Sequence, residues 1–119
     1  MGEHHAFGHK GEQIAADFLK HKGYQILEQN YRFDKAEVDI LAKKDETLVV
    51  VEVKSRTSSF LEDISQTINS GKIKRLAKVA NQFIEESNLD LEVRFDVIVI
   101  LKKQDGFEVE HLENAFHFF

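Results

Sequence analysis

The sequence contains no cysteine, no proline and no tryptophan. Without Cys there are no disulfides, no zinc–thiolate sites and no cysteine nucleophile, and a reducing compartment is acceptable to the chain. Without Pro, the turns fall to six glycines and to clusters of Asn, Asp and Ser. No apolar run approaches the ~20 residues of a membrane span. Residues 1–8 lack a basic stretch followed by an apolar one, so a secretory signal is not expected and a cytoplasmic location is. Positive charge is also in short supply. Sixteen Lys and Arg face twenty-one Asp and Glu, a formal net charge of −5. That balance argues against a general nucleic-acid binder, whose phosphate contacts ordinarily draw on an excess of basic residues. It leaves room for a protein that is acidic overall and basic only locally.

What is present suits one domain spanning residues 1–119, with 42% apolar residues and ten Phe to build a core. The patterning predicts a helix over His9–Lys22, with Ile14, Ala15, Phe18 and Leu19 on one face and Gly23 as its stop. Strands are predicted over Tyr24–Phe33 and Glu37–Lys43, the second with Val38 and Ile40 on one face. A turn at Lys44-Asp45-Glu46 leads into Thr47–Lys54, apolar on both faces from Leu48 to Val51, as a central strand is. A loop over Ser55–Asp63 precedes a long helix, Ile64–Ser87, with a candidate break near Asn69-Ser70-Gly71. A buried strand over Leu91–Lys102, a turn at Asp105-Gly106 and a short strand over Phe107–Leu112 complete the chain. The order is α-β-β-β-α-β-β, an α/β fold with a mixed sheet flanked by helices, in which the second helix is a right-handed crossover.

Glu52 and Lys54 are two residues apart on the central strand, so they share a face roughly 7 Å apart. A tight turn after Lys43 makes cross-strand partners of residues whose numbers sum to 91, which sets Asp39 against Glu52. Two carboxylates then converge beside an ammonium. Mg²⁺ takes such oxygen ligands, using one or two carboxylates together with waters and substrate phosphate. In phosphodiester hydrolysis the ion polarises a phosphoryl oxygen and activates water, and Lys54 could orient that water or offset charge in the transition state. The same spacing also fits an ordinary carboxylate–lysine ion pair at the rim of a sheet.

Glu12 lies at the edge of the first helix's apolar stripe, next to Ala15 and Leu19, and so faces the sheet. A helix-start Glu favoured by the macrodipole occupies the same place. On the second helix Lys74, Arg75 and Lys78 form an outer basic arc, which a solvated face with a diffuse field explains at least as well as contact with DNA. Lys72 instead falls between Val79 and Phe83, inside the apolar sector. From there it can snorkel to the rim of the sheet, toward the carboxylates. The six His show no metal-ligand spacing.

These pieces together resemble a family. They are Gly8-His9-Lys10-Gly11-Glu12, Gly23-Tyr24-Gln25-Ile26-Leu27, Asn30-Tyr31-Arg32, Glu37-Val38-Asp39-Ile40-Leu41, Val51-Glu52-Val53-Lys54-Ser55-Arg56, Lys72 with Arg75-Leu76, Arg94-Phe95-Asp96-Val97, and His111-Leu112-Glu113-Asn114-Ala115-Phe116. Almost end to end, the chain resembles bacterial proteins grouped with the Holliday-junction-resolvase-like, restriction-endonuclease-like nucleases of PD-(D/E)xK type. The resemblance implies a restriction-endonuclease-like core, Asp39 and Glu52 as metal ligands, Lys54 as catalytic residue and Glu12 as a further acid of the metal site. It implies Mg²⁺ or Mn²⁺ as cofactor and DNA as partner, contacted by Lys72, Arg75 and Arg56, with no membrane association and room for a homodimer. Ala36 stands where the family usually has Gly. The expected function is metal-dependent DNA endonuclease action on branched or damaged DNA; the rival is a non-catalytic nucleic-acid-binding or assembly module on the same fold.

Overall fold

Ala15, Ala16 and Leu19 recur at helical spacing, and in a computed structural model of the chain they form the buried face of α1 (Gly2–His21). The structure describes residues 2–57 and 70–116. The helix starts ahead of the expected His9, because residues 2–8 hold no proline and an interior Gly8 costs only about 1 kcal/mol. It ends as the sequence predicts. Gly23 turns left-handed (φ 90°), its N–H donates to the Lys20 carbonyl and that of Tyr24 to the Leu19 carbonyl, a Schellman closure.

Five strands follow: β1 (Gln25–Phe33), β2 (Ala36–Lys44), β3 (Thr47–Arg56), β4 (Glu92–Lys103) and β5 (Gly106–Phe116), with α2 (Ser70–Ser87) between β3 and β4. They form one mixed sheet in the order β1-β2-β3-β4-β5. Only β3 and β4 run parallel, as a crossover through α2 requires; the other neighbours are antiparallel. The architecture is the expected α-β-β-β-α-β-β sheet flanked by helices. Alternation on the central strand sorts the core into two layers. Val49 and Val51 join Ile40, Ile98 and Ile100 under α1. Leu48 and Val50 join Leu41 and Phe95 under Leu76, Val79 and Ala80 of α2.

The structure corrects several boundaries. Tyr24 lies outside β1, and Lys44 is already paired with Thr47, so the turn is Asp45-Glu46 alone, with Asp45 left-handed. Ser55 and Arg56 belong to β3 rather than to a loop, because β4 continues beside them and pairs Ser55 with Ile100 and Arg56 with Leu101. The remainder of the expected loop, and the start of the expected long helix up to residue 69, lie outside the described residues; Ser70 and Gly71 are helical. β5 runs to Phe116 rather than Leu112, because its polar end is held by hydrogen bonds rather than by burial. Val38 and Ile40 do not share a face. Val38 packs in the α2 layer and Ile40 in the α1 layer, across the stretch where β1 carries the left-handed Asn30 (φ 52°). Ala36 is not among the residues with positive φ, and the left-handed position of that turn is Asp34 (φ 60°), so the missing glycine is not required there.

Gly11 has a reason of a different kind. A Cβ at this position would collide with the Ser55 hydroxyl and stand 3.6 Å from Ile100, so the glycine lets α1 approach the end of β3. Replacing Gly11 by Ala should forfeit the roughly 1 kcal/mol that an interior helix Gly→Ala change otherwise gains. Combining it with Ser55→Ala should restore that gain, a non-additivity of about 1 kcal/mol in denaturant unfolding. Simple additivity would show that the serine swings aside freely.

Candidate functional site

The β2–β3 ladder keeps the predicted register, with Ile40 opposite Val51, Leu41 opposite Val50 and Lys44 opposite Thr47, all pairs summing to 91. At the next step, Asp39 against Glu52, a side chain takes over from the backbone. The Val53 N–H donates to Asp39 Oδ2 at 2.8 Å. The two strands part here, and the opening is filled by carboxylates from three elements.

Glu52 is 7% exposed and lies on the α2 side of the sheet. Its Oε1 meets the Lys72 ammonium at 2.5 Å and the Lys54 ammonium at 3.3 Å. Lys72 therefore does what its position in the apolar sector predicts: its stem crosses the packed face and its charge reaches the rim of the sheet. Glu12 approaches from α1 on the other side. Asn30, with its amide nitrogen turned toward the acids, donates to Glu12 Oε2 at 3.2 Å and to Glu37 Oε1 at 3.1 Å. Glu37 is held in turn by Arg32 at 3.0 Å. Asn30 and Glu37 have no role in the reading from sequence; a left-handed Asn facing an acidic strand is visible only once β1 and β2 are paired.

Asp39 sits between the two sides and registers both. Burial, then the Glu52 carboxylate, then that of Glu12 push its carboxyl up to about 7, against the pull of the Val53 N–H and the Lys72 charge. The structure thus brings together Glu12, Asp39, Glu52, Lys54 and Lys72. It does not bring Arg56 or Arg75 into that group. Arg56 is half-buried and donates to the Ser55 carbonyl, and Arg75 is exposed on α2. Among the described residues no three His, Asp or Glu side chains are close enough to cage a metal ion. The donor set is nonetheless all carboxylate oxygen, and the mutual repulsion felt at Asp39 is what a cation would relieve. That fits an ion such as Mg²⁺, which binds through one or two carboxylates and keeps several waters.

A second buried polar cluster lies under the C-terminal end of α1. Asp96 is 0% exposed. It accepts from Arg94 Nε at 2.9 Å and Nη2 at 2.8 Å, from His111 Nε2 at 2.7 Å and from the Asn114 N–H at 2.9 Å. Lys22 donates to the other His111 nitrogen at 2.8 Å, which assigns the ring proton to Nε2.

Comparison with known proteins identifies the chain by sequence. The model of the uncharacterised protein family UPF0102 matches residues 11–100. The chain belongs to this family. A UPF0102 protein of Christiangramia forsetii is 44% identical over 119 residues, covering all of both chains. One from Flavobacterium psychrophilum is likewise 44% identical over the full length of both. A UPF0102 protein of Parabacteroides distasonis is 37% identical over 117 residues, 98% of this chain and 97% of its own. The match to the UPF0102 model takes in every member of the acidic cluster, from Glu12 to Lys72, together with Arg94 and Asp96. Among the described residues, no helix is long and apolar enough to cross a membrane.

Proposed function

We propose that this UPF0102 chain has a restriction-endonuclease-like core of PD-(D/E)xK type and is a Mg²⁺- or Mn²⁺-dependent DNA endonuclease, acting on branched or damaged DNA. The observation that carries the reading is the meeting of Asp39 with Glu52 at the parting of β2 and β3, where the Val53 N–H already turns to the Asp39 carboxylate and where burial, then the Glu52 and Glu12 charges, push Asp39 up to about 7. An ordinary ion pair at a sheet rim has no use for a second buried carboxylate that the first repels. Repelling carboxylates persist where a cation or a proton offsets them.

In this reading Asp39 and Glu52 would hold the ion, with Glu12 as the further acid. When bound, the ion supplies polarisation of a phosphoryl oxygen and activation of the attacking water. Lys54, on the same face as Glu52, positions that water and offsets charge gathering on the phosphate. Lys72 meets a phosphate oxygen from α2, and Arg56 adds positive charge past the end of the site. The alternative, a non-catalytic nucleic-acid-binding module, draws on the double pairing of Glu52 with Lys54 and Lys72, which already balances that carboxylate.

A nicking assay on branched and linear DNA with Mg²⁺ or Mn²⁺, with Asp39→Ala as control, tests the reading. Metal-dependent nicking should appear only with the unaltered protein. DNA binding without nicking would establish the alternative. Calorimetric titration with Mn²⁺ should show heat that disappears in Asp39→Asn, and equal heats from both proteins would remove the metal from the proposal.

A further inference from the structure

The tip of the β1–β2 hairpin leans over the outer side of α2, and between them lies a small cavity of about 60 Å³ lined by Phe33, Asp34, Lys35, Ala36, Arg75 and Lys78. Its lining holds more bases than acids. Lys22, Arg32, Lys54, Lys72, Arg94 and Lys103 each stand beside an acid. Among the described residues, Lys35, Arg75 and Lys78 enter no ion pair or hydrogen bond. Asp34 is the one carboxylate among the lining residues, against three bases. Cations drawn together without partners repel one another and favour an anion between them.

The size of the cavity limits what that anion is. Sites for drug-sized ligands run to ~300–1,000 Å³, and this one is closer to a single tetrahedral oxyanion. Arg75 offers a planar fork suited to phosphate oxygens, and the two lysines add compact charges from either wall. Phe33 and Ala36 supply an apolar floor that reduces screening.

The position ties the cavity to the acidic cluster. Lys72, Arg75 and Lys78 follow one another at three-residue steps along α2, so Lys78 is about 9 Å along the helix axis from Lys72. Lys72 reaches the sheet rim while Lys78 lies on the outer side of α2, so their charged ends stand further apart than this axial step and would meet different phosphates of a strand. We infer that Lys35, Arg75 and Lys78 form a second phosphate subsite, which seats a backbone phosphate of the same strand beyond the one at Lys72. The inference rests on the DNA-cleaving reading above and adds the direction in which the strand leaves the site. It separates Arg75 and Lys78 from Lys74, which is exposed on the same helix but does not line the cavity.

The test is fluorescence anisotropy of branched and linear DNA, without divalent metal, over a range of salt. The full chain would be compared with Lys35→Gln, Arg75→Gln, Lys78→Gln and the control Lys74→Gln. All four side chains are exposed, so the urea midpoints of unfolding should be the same for every variant and the unaltered protein. Each cavity variant should reduce the slope of log affinity against log salt, and the triple variant should reduce it by about one, the loss of a single phosphate contact, while Lys74→Gln leaves the slope unchanged. Equal slopes in the cavity variants and the unaltered protein, or an equal loss in Lys74→Gln, would overturn the subsite and leave the nuclease reading intact. No salt-dependent binding by the unaltered protein would overturn both.

Discussion

Replacing Asp96 by Ala is expected to cost about 3–5 kcal/mol of folding stability, the range for breaking a buried charge pair by removing one partner. The carboxylate is fully buried and takes four donors: two from the Arg94 fork, one from the His111 ring and one from the Asn114 backbone. Removing it strands a guanidinium and an imidazole whose side chain is only 4% exposed, and it unties the end of β5 from β4. Burial pushes this carboxyl up, but the His111, Arg94 and Asn114 hydrogen bonds outweigh burial and hold it below its usual 3.8. A carboxylate whose folded pKa is depressed stabilises the protein above the unfolded value, and the contribution is lost as pH falls through the folded one. The gap between the unaltered protein and Asp96→Ala, read from urea unfolding, should therefore be full at pH 7 and close below about pH 4. A loss under about 1 kcal/mol at pH 7 would mean that the cluster contributes little beyond its packing.

Asp39→Asn is expected to do the opposite to stability and, on the proposed function, to weaken cleavage. The amide side chain keeps an oxygen for the Val53 N–H and removes the charge that Glu52 and Glu12 oppose. With the folded pKa raised from 3.8 to about 7, the unaltered protein is favoured while Asp39 is protonated and loses stability as pH rises through about 7. The difference corresponds to up to about 4 kcal/mol. In metal-free buffer at about pH 8, the Asp39→Asn substitution should therefore be neutral to clearly stabilising, and the decline in stability between about pH 4 and pH 8 should flatten. Millimolar Mn²⁺ should raise the melting temperature of the unaltered protein and leave that of the variant unmoved. Nicking should fall by about 10²–10³-fold, the scale of losing 3–4 kcal/mol of transition-state stabilisation. A destabilisation of several kcal/mol by Asp39→Asn would return the cluster to a structural ion-pair network.

The elements that the sequence makes visible are those whose patterning is strong within one segment. Leu48 to Val51 is apolar on both faces and reads as central without any partner, and Gly23 after Leu19 reads as a helix stop. Glu52 and Lys54 share a face by strand alternation alone, and the short turn read at Lys44-Asp45-Glu46 is enough to bring Asp39 close to Glu52 across the strands. Lys72 stands out because a lysine between Val79 and Phe83 contradicts its surroundings. Where local pattern is weak, the sequence misleads. The run His111 to Ala115 has no alternation, so β5 reads as shorter than it is, and regular alternation puts Val38 and Ile40 on one face.

The sequence by itself determined the order of elements, the β2–β3 register and the candidacy of Asp39, Glu52 and Lys54, because alternation and turn length act between near neighbours in the chain. Only the tertiary structure decided that Asn30 bridges Glu12 and Glu37, that His111 and the Asn114 backbone close over Asp96, and that Lys35 lines one cavity with Arg75 and Lys78. Each of these joins residues on different elements, and each depends on the twist and stacking of the layers. Side-chain periodicity reports which face a residue occupies; it carries no information about which distant residue shares that face.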